Sequence, residues 1–277
     1  MQYADYDSFD TVSLEHLEFI ARNISMEAWN APTFMVDARK RLSQFFTGAS
    51  SYFSKLNIGT LATLRPLSSD LDGIIARFGF VDASNKSIIV PEGFIGQWVP
   101  YSEALKDGMN KAIKIENMVL KFNETIGRIL HNPDILSGAS GIGHAGPVAV
   151  GVTETAQMIG KVFFDGSTVH IHRQLGSVIE RAQDIKVTKS NLNDMMSLDK
   201  SNPSTKVQAA IGRTMDLSGR LIPLVEERQN IAKNATQELV DITLSIAREV
   251  ESYGVLLFRI RQFSEAVKDS VAELKKQ

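Results

Sequence analysis

Three glycines near the middle of the chain have the spacing of a dinucleotide-binding loop. The segment SGASGIGHAGPVAVG carries Gly141, Gly143 and Gly146 as G-x-G-x-x-G, and Asp165 follows where an acid that bonds a ribose hydroxyl would stand. Such a loop needs a buried strand before its first glycine and a helix whose N–H groups face the pyrophosphate. The preceding residues instead predict a helix end and a turn, and Pro147 disfavours helix at Gly146. The pattern therefore predicts a hinge at these three glycines.

Two further groups of residues could carry chemistry. Residues 161–165 could form a short strand ending in Asp165, which would meet one requirement of nucleotide binding. His170 and His172 would share one face of a strand, as metal ligands can, but no acidic residue stands nearby with zinc-ligand regularity. We expect ordinary histidines here, and predict no catalytic, cofactor-binding or metal-binding residue.

The composition limits the classes of partner. Of 277 residues, 43% are hydrophobic and 22% charged, which is typical of a globular chain. Thirty basic and 32 acidic residues give a net charge of −2, which argues against a general attraction to nucleic acid or to anionic membranes. The best local basic candidate is Arg39-Lys40-Arg41. The absence of cysteine excludes disulfides, thiolate metal sites and thiol nucleophiles.

The sequence predicts neither a signal peptide nor a transmembrane segment. The first residues, MQYADYDSFDTV, are acidic and polar and lack the pattern of a signal peptide. The longest nearly apolar run, residues 255–258, is stopped by Arg259 and is far shorter than the roughly 20 residues that cross a bilayer. We expect a protein that stays in the compartment where it is made.

Apolar residues at steps of three and four predict helices over much of the chain. They indicate helices over residues 101–130 and 169–198, while residues 152–164 are ambiguous. Residues 74–100 carry β-branched and aromatic runs on both sides of a five-residue loop, Asp82–Lys86, which predicts a β-hairpin. Pro91 and Pro100 limit its length and favour an edge position.

The longest apolar pattern lies at the C-terminus. It keeps steps of three and four over roughly forty residues, which predicts one long helix. Such a stripe must be covered, either by other helices of the chain or by another copy, and we take it as the predicted assembly surface. The stripe comprises Leu239, Ile242, Ile246, Val250, Tyr253, Leu257 and Ile260.

These patterns predict a mainly α fold of long helices. We expect an elongated bundle or coiled-coil-like arrangement with a small β-hairpin insertion. The predicted domains are a helical region over residues 1–136 with the hairpin near residues 74–100, a glycine-rich joint over residues 137–151, and a long-helix region over residues 152–277.

A chain that is cysteine-free and near-neutral, with long helices, a small β insertion and a glycine-rich joint, resembles the virion structural or internal head proteins of large tailed bacteriophages. The resemblance covers the whole chain loosely and assigns no residue a role. It implies a protein, located in the cytoplasm or in a virion, that assembles with copies of itself or with other proteins. Because no catalytic motif is present, we expect that it is not an enzyme. Two alternatives stay open: a helical pore-forming or membrane-active protein whose tip is the segment GFIGQWV, residues 93–99, and a nucleotide-cofactor enzyme that uses the GIGHAG loop.

Overall fold

A computed structural model describes residues 76–134, 150–165, 170–199 and 233–277, together with the helical positions 209, 210, 213, 216, 217 and 220. These residues are mainly helical, as predicted, and include one two-stranded antiparallel sheet. In chain order the elements are α1 (residues 76–84), β1 (Ser87–Pro91), α2 (Trp98–His131), α3 (Val152–Phe163), β2 (His170–Gln174), α4 (Ala182–Asp199) and α5 (Lys233–Lys276).

The chain divides into two compact units, each made of separate segments. One contains the described residues within Ile115–Val150 and Thr205–Glu251. The other contains the described residues within Ser54–Lys114, Gly151–Ser204 and Ser252–Gln277. The division falls inside α2 and inside α5. None of the described helices combines enough length with enough apolar character to span a bilayer.

The two long helices follow the apolar periodicity that predicted them. α2 has 34 residues and α5 has 44. Pro100 is tolerated in the first turn of α2 because the N–H groups there have no partner within the helix. α2 ends at His131, directly before Asn132-Pro133, and the Asn132 side-chain oxygen accepts a hydrogen bond from the Asp134 N–H at 3.3 Å.

The predicted hairpin over residues 74–100 is wrong in its pairing. Residues 76–84 are helical, so they cannot supply the first strand, and β1 pairs with β2, with Val90 opposite Ile171. Burial explains the choice, because Ala83 and the β1 residues Ile88 and Val90 are all fully buried. A helix followed by a strand buries all three, and the partner strand comes from much farther along the chain.

A serine of α5 covers the free edge of β1. The hydroxyl of Ser270 lies 2.8 Å from the Ile89 carbonyl oxygen and accepts from the Ile89 N–H at 3.2 Å. It also lies 2.6 Å from the Ala266 carbonyl oxygen in its own helix, so its single proton is shared between two acceptors. An uncovered strand edge can pair with another chain, and here the Ser270 hydroxyl bonds the N–H and the carbonyl oxygen of Ile89.

The helix predicted over residues 169–198 is only partly correct. Its first residues form β2, a short 3-10 turn follows at Leu175–Ser177, and α4 starts at Ala182. The start is set by Asp184, whose carboxylate accepts from the Arg181 N–H at 2.9 Å, as an acid at the third helical position does in a capping box.

Within the second unit, α2 packs closely on its neighbours. A Cβ on Gly108 would lie 2.8 Å from the Leu256 methyl groups of α5 and 3.3 Å from Cγ2 of Thr155 in α3, so only glycine fits without movement. A buried polar chain joins α2 to α4: the Asn191 amide donates to the Ser102 hydroxyl at 3.0 Å, and the Lys106 amine donates to the Asn191 oxygen at 2.8 Å. Such bonds fix which faces of the helices meet.

In the first unit, the C-terminal half of α2 presents its apolar stripe to the core. The buried members are Ile115, Val119, Phe122, Ile126 and Ile129. Asn123, which is also buried, donates to the Ala210 carbonyl oxygen at 3.1 Å. A buried amide needs such a partner to offset its lost hydration.

We predict that Ser270→Ala lowers the free energy of unfolding by about 1–3 kcal/mol, because it removes the partner of the Ile89 backbone groups. Denaturant titration followed by circular dichroism measures the change. The matched control is Ser190→Ala at an exposed position of α4, for which we expect a change within about 0.5 kcal/mol. Equal effects of the two substitutions would contradict the role given to Ser270.

Candidate interaction surface

α3 buries one side of its cylinder. Val152, Thr155, Ile159 and Phe163 are buried and follow each other at steps of three and four. The helix begins after Gly151, whose φ of +84° lies in the left-handed region that favours glycine. Thr155 is held by the Lys111 amine of α2, which donates to its hydroxyl at 2.8 Å, and Lys111 also pairs with Asp107 at 2.7 Å. These contacts fix the rotation of α3 about its axis.

The C-terminal end of α3 is bonded to the segment between β1 and α2. The Ile95 N–H donates to the Phe163 carbonyl oxygen at 3.0 Å, and the Asp165 N–H donates to the Gly93 carbonyl oxygen at 2.9 Å. Phe94 forms an isolated bridge with Phe164, and the two rings pack edge to face with centroids 5.6 Å apart. Phe94 is buried, whereas the next residue, Ile95, is 59% exposed.

Gly96 allows this segment to lie against α3. A Cβ at Gly96 would stand 2.3 Å from a ring carbon of Phe163, so any larger residue would push the ring or the loop away. The glycine thus determines where Ile95 lies relative to the end of the helix.

Tyr101 forms the centre of an aromatic cluster beneath this surface. Its ring lies 5.1–5.6 Å, centroid to centroid, from four others, mostly in edge-to-face contact. The four rings belong to Phe94, Phe163, Phe164 and Phe263. Because they come from the β1–α2 segment, α3 and its following residue, and α5, the cluster ties the surface to the core of the unit.

The Tyr101 hydroxyl is buried and has no hydrogen-bond partner. Burial raises the pKa of this phenol far above its ordinary value of 10, and the charge of Arg259 opposes the rise only in part. The phenol therefore stays protonated at any physiological pH.

Two arginines contact the bridged residues Phe94 and Phe164. The Arg259 guanidinium of α5 lies 4.0 Å from the centroid of the Phe164 ring, which is a cation–π contact. The Arg173 guanidinium of β2 donates to the Phe94 carbonyl oxygen at 2.8 Å. Phe164, which precedes Asp165, is thereby engaged in packing.

Outside the buried stripe, α3 is exposed and partly apolar. Glu154, Met158, Lys161 and Val162 are exposed, with Met158 at 40% and Val162 at 52%. We group Ile95 with them, because it is exposed and its backbone is bonded to Phe163, the last residue of the helix. We call these five residues the outer face of α3. Three of the four large apolar side chains that are exposed in the described part of the chain lie here, the other being Val81.

The predicted C-terminal stripe lies elsewhere. All seven residues are in α5, and Ile246, Tyr253, Leu257 and Ile260 are buried within the chain itself. The side chains of Leu239, Ile242 and Val250 are outside the described residues. The four buried members contribute to the core.

The residues considered above for chemistry lie only partly among the described residues. Gly141, Gly143 and Gly146, with the surrounding loop, lie outside the described residues, as does the basic run at residues 39–41. Residues 161–163 are helical, so the strand suggested for residues 161–165 is wrong, because Val162 and Phe163 belong to α3. His170 and His172 are in β2, as the strand interpretation required, yet no group of three metal-ligating side chains occurs among the described residues.

Comparison with protein-family models, with curated proteins and with solved structures gives no match. The outer face of α3 therefore has to be interpreted from its own residues. The sequence of the ambiguous segment, residues 152–164, contained the pattern that predicts this face. Val152, Thr155, Ile159 and Phe163 form one helical stripe, and the apolar residues Met158 and Val162 lie beside that stripe.

We predict that Gly96→Ala lowers the free energy of unfolding by about 1–3 kcal/mol, because the new methyl group would overlap the Phe163 ring. The control is Gly160→Ala within α3, where a Cβ meets nothing within 4 Å. That change is expected to raise stability by up to about 1 kcal/mol through helix propensity. Urea titration of both variants measures the difference, and a Gly96→Ala variant as stable as the parent would contradict the close approach.

We predict that Tyr101→Phe leaves stability at neutral pH unchanged or raises it by about 1 kcal/mol, because the substitution removes an unpaired buried hydroxyl. At alkaline pH the gain should grow. Above pH about 10 the unfolded chain releases the phenol proton while the folded chain keeps it, so the parent loses roughly 1.4 kcal/mol per pH unit that the variant does not. Urea titration of both proteins between neutral and alkaline pH tests this, and destabilisation by Tyr101→Phe at neutral pH would contradict it.

Proposed function

We propose that this chain is a structural protein that acts by assembling with copies of itself, as a component of a larger particle. A bacteriophage virion is one such particle, on the strength of the resemblance in composition and helical content. In this proposal the long helices α2 and α5 form the framework, and the assembly contact lies on an exposed surface.

One observation carries the proposal: Met158 and Val162, one helical turn apart in α3, are both exposed, as is Ile95 of the segment bonded to the end of α3. Scattered single apolar residues are normal on protein surfaces, whereas neighbouring ones indicate a contact surface. The aromatic cluster and the backbone bonds at Phe163 hold this face rigid, which lowers the entropic cost of binding.

The proposed contact differs from the one that the sequence suggested. The four described members of the α5 stripe are already covered, so their use in assembly would require the fold to open. The outer face of α3 needs no such change.

The alternatives gain no specific support. The two aromatic side chains of the segment 93–99, Phe94 and Trp98, are buried, which is not how a membrane-touching tip presents its anchors. For nucleotide binding, the strand that would have ended in Asp165 is replaced by α3.

We predict that the solution mass of the 30.6 kDa chain rises with concentration, and that Val162→Asp keeps it monomeric. The new carboxylate would have to be desolvated in the contact. Light scattering over a roughly hundredfold dilution series measures the mass, and circular dichroism verifies that the fold is retained.

The matched control is Val81→Asp, the same exchange at an exposed valine of α1, which should leave association unchanged. Ile246→Asp serves as a contrast. Because Ile246 is fully buried, this substitution should lower the melting temperature of the chain, whereas Val162→Asp should lower the solution mass. A parent protein that stays monomeric at every concentration would overturn the proposed function.

A further inference from the structure

The charged residues of the outer face of α3 occupy its two ends. Glu154 lies in the first turn and Lys161 in the last, seven residues apart. Seven residues are almost two helical turns, so both charges lie on the same flank of the helix, with Met158 between them. Neither side chain forms an ion pair within the described part of the chain.

From this arrangement we infer that α3 pairs with α3 of a second copy, antiparallel and about a two-fold axis at Met158. The inference rests on the proposed self-assembly and names its contact. The two-fold rotation reverses the helix direction but keeps each residue on the same flank of the helix pair. Glu154 of one copy therefore lies opposite Lys161 of the other, and this pair occurs twice in each dimer. Residues whose numbers sum to 316 lie opposite each other in this register, and Glu154 with Lys161 misses that sum by one residue, or about 1.5 Å along the axis.

The apolar residues fit the same arrangement. Met158 lies on the axis and contacts its own counterpart, and Val162 lies on the other flank, opposite the first turn of the partner helix. Such a self-complementary contact is the kind that a two-fold dimer requires. Opposite charges in this arrangement set the register and direction of pairing, while the apolar side chains supply most of the affinity.

The size of the face predicts a weak dimer. α3 has 12 residues and is therefore about 18 Å long, so two such helices with Ile95 bury less than the roughly 800 Å² per partner of a standard interface. Association is expected at micromolar concentrations or above, which a dilution series can follow.

Glu154 and Lys161 also complement the dipole of their own helix, with an acid in the first turn and a base in the last. This interaction with the dipole lies within one chain. It predicts a different result from the dimer when the two charges are exchanged. If the dipole were the whole explanation, the double variant Glu154→Lys/Lys161→Glu would be the least favourable of the set. In the two-fold dimer the double variant restores both attractive pairs.

The test uses four proteins: the parent, Glu154→Lys, Lys161→Glu, and the double variant. We expect each single variant to dimerise about tenfold more weakly than the parent, because each converts two attractive pairs into two repulsive ones. The double variant should regain parent-like dimerisation. An equimolar mixture of the two single variants should also dimerise, since every pair across that mixed contact joins opposite charges. Light scattering measures all four proteins and the mixture, and melting temperatures verify that each is folded.

Two results separate the failure of this inference from the failure of the proposed function. A parent that associates, loses association through Val162→Asp, and shows no recovery in the double variant or the mixture would overturn the antiparallel pairing alone. A parent that never associates would overturn both. Recovery in the double variant together with dimerisation of the mixture supports the inference, because the helix dipole of a single chain produces neither.

Discussion

Burial of one stripe of α3, formed by Val152, Thr155, Ile159 and Phe163, is the constraint on which the surface depends. A helix can turn only one side to the core, so the choice of these four residues determines which others face outward. Lys111 and the backbone bonds at Phe163 hold the helix at this rotation. Met158 and Val162 are exposed as a consequence, and their exposure carries the functional proposal.

The aromatic cluster transmits this constraint to the rest of the second unit. Tyr101 contacts rings from three parts of the chain. The Arg259 guanidinium packs on the Phe164 ring, and the Arg173 guanidinium donates to the Phe94 carbonyl oxygen. The unpaired hydroxyl of Tyr101 costs some stability, which phenylalanine would avoid. Nothing in the structure explains why tyrosine stands at this position.

The long helices could be predicted from the sequence because their apolar periodicity extends over many turns, as in α2 and α5. The pairing of the strands could not, because β1 joins β2 across 79 to 87 residues of chain and local propensity carries no information on that contact. α1 and α3 were missed or left ambiguous for a related reason: their β-branched and aromatic residues favour strands locally, and burial of Ala83 and of the α3 stripe overrides that preference.

The candidate surface could be predicted from the sequence only in part. The C-terminal stripe was the strongest apolar pattern in the sequence, but strength of pattern does not distinguish a stripe that the chain covers itself from one left to a partner. Ile246 and Tyr253 belong to the first kind. Met158 and Val162 belong to the second kind, and only the rotation of α3 reveals it.

Site-specific cross-linking is the measurement that tests the pairing of α3 most directly. The chain contains no cysteine, so a Met158→Cys variant carries one thiol, placed on the proposed two-fold axis. Under mild oxidation the proposal predicts a covalent dimer that forms readily from Met158→Cys and poorly from Gln157→Cys, an exposed neighbour that points about 100° away from Met158 around the same helix. Equal cross-linking at both positions, or none at Met158→Cys, would contradict a contact centred on Met158.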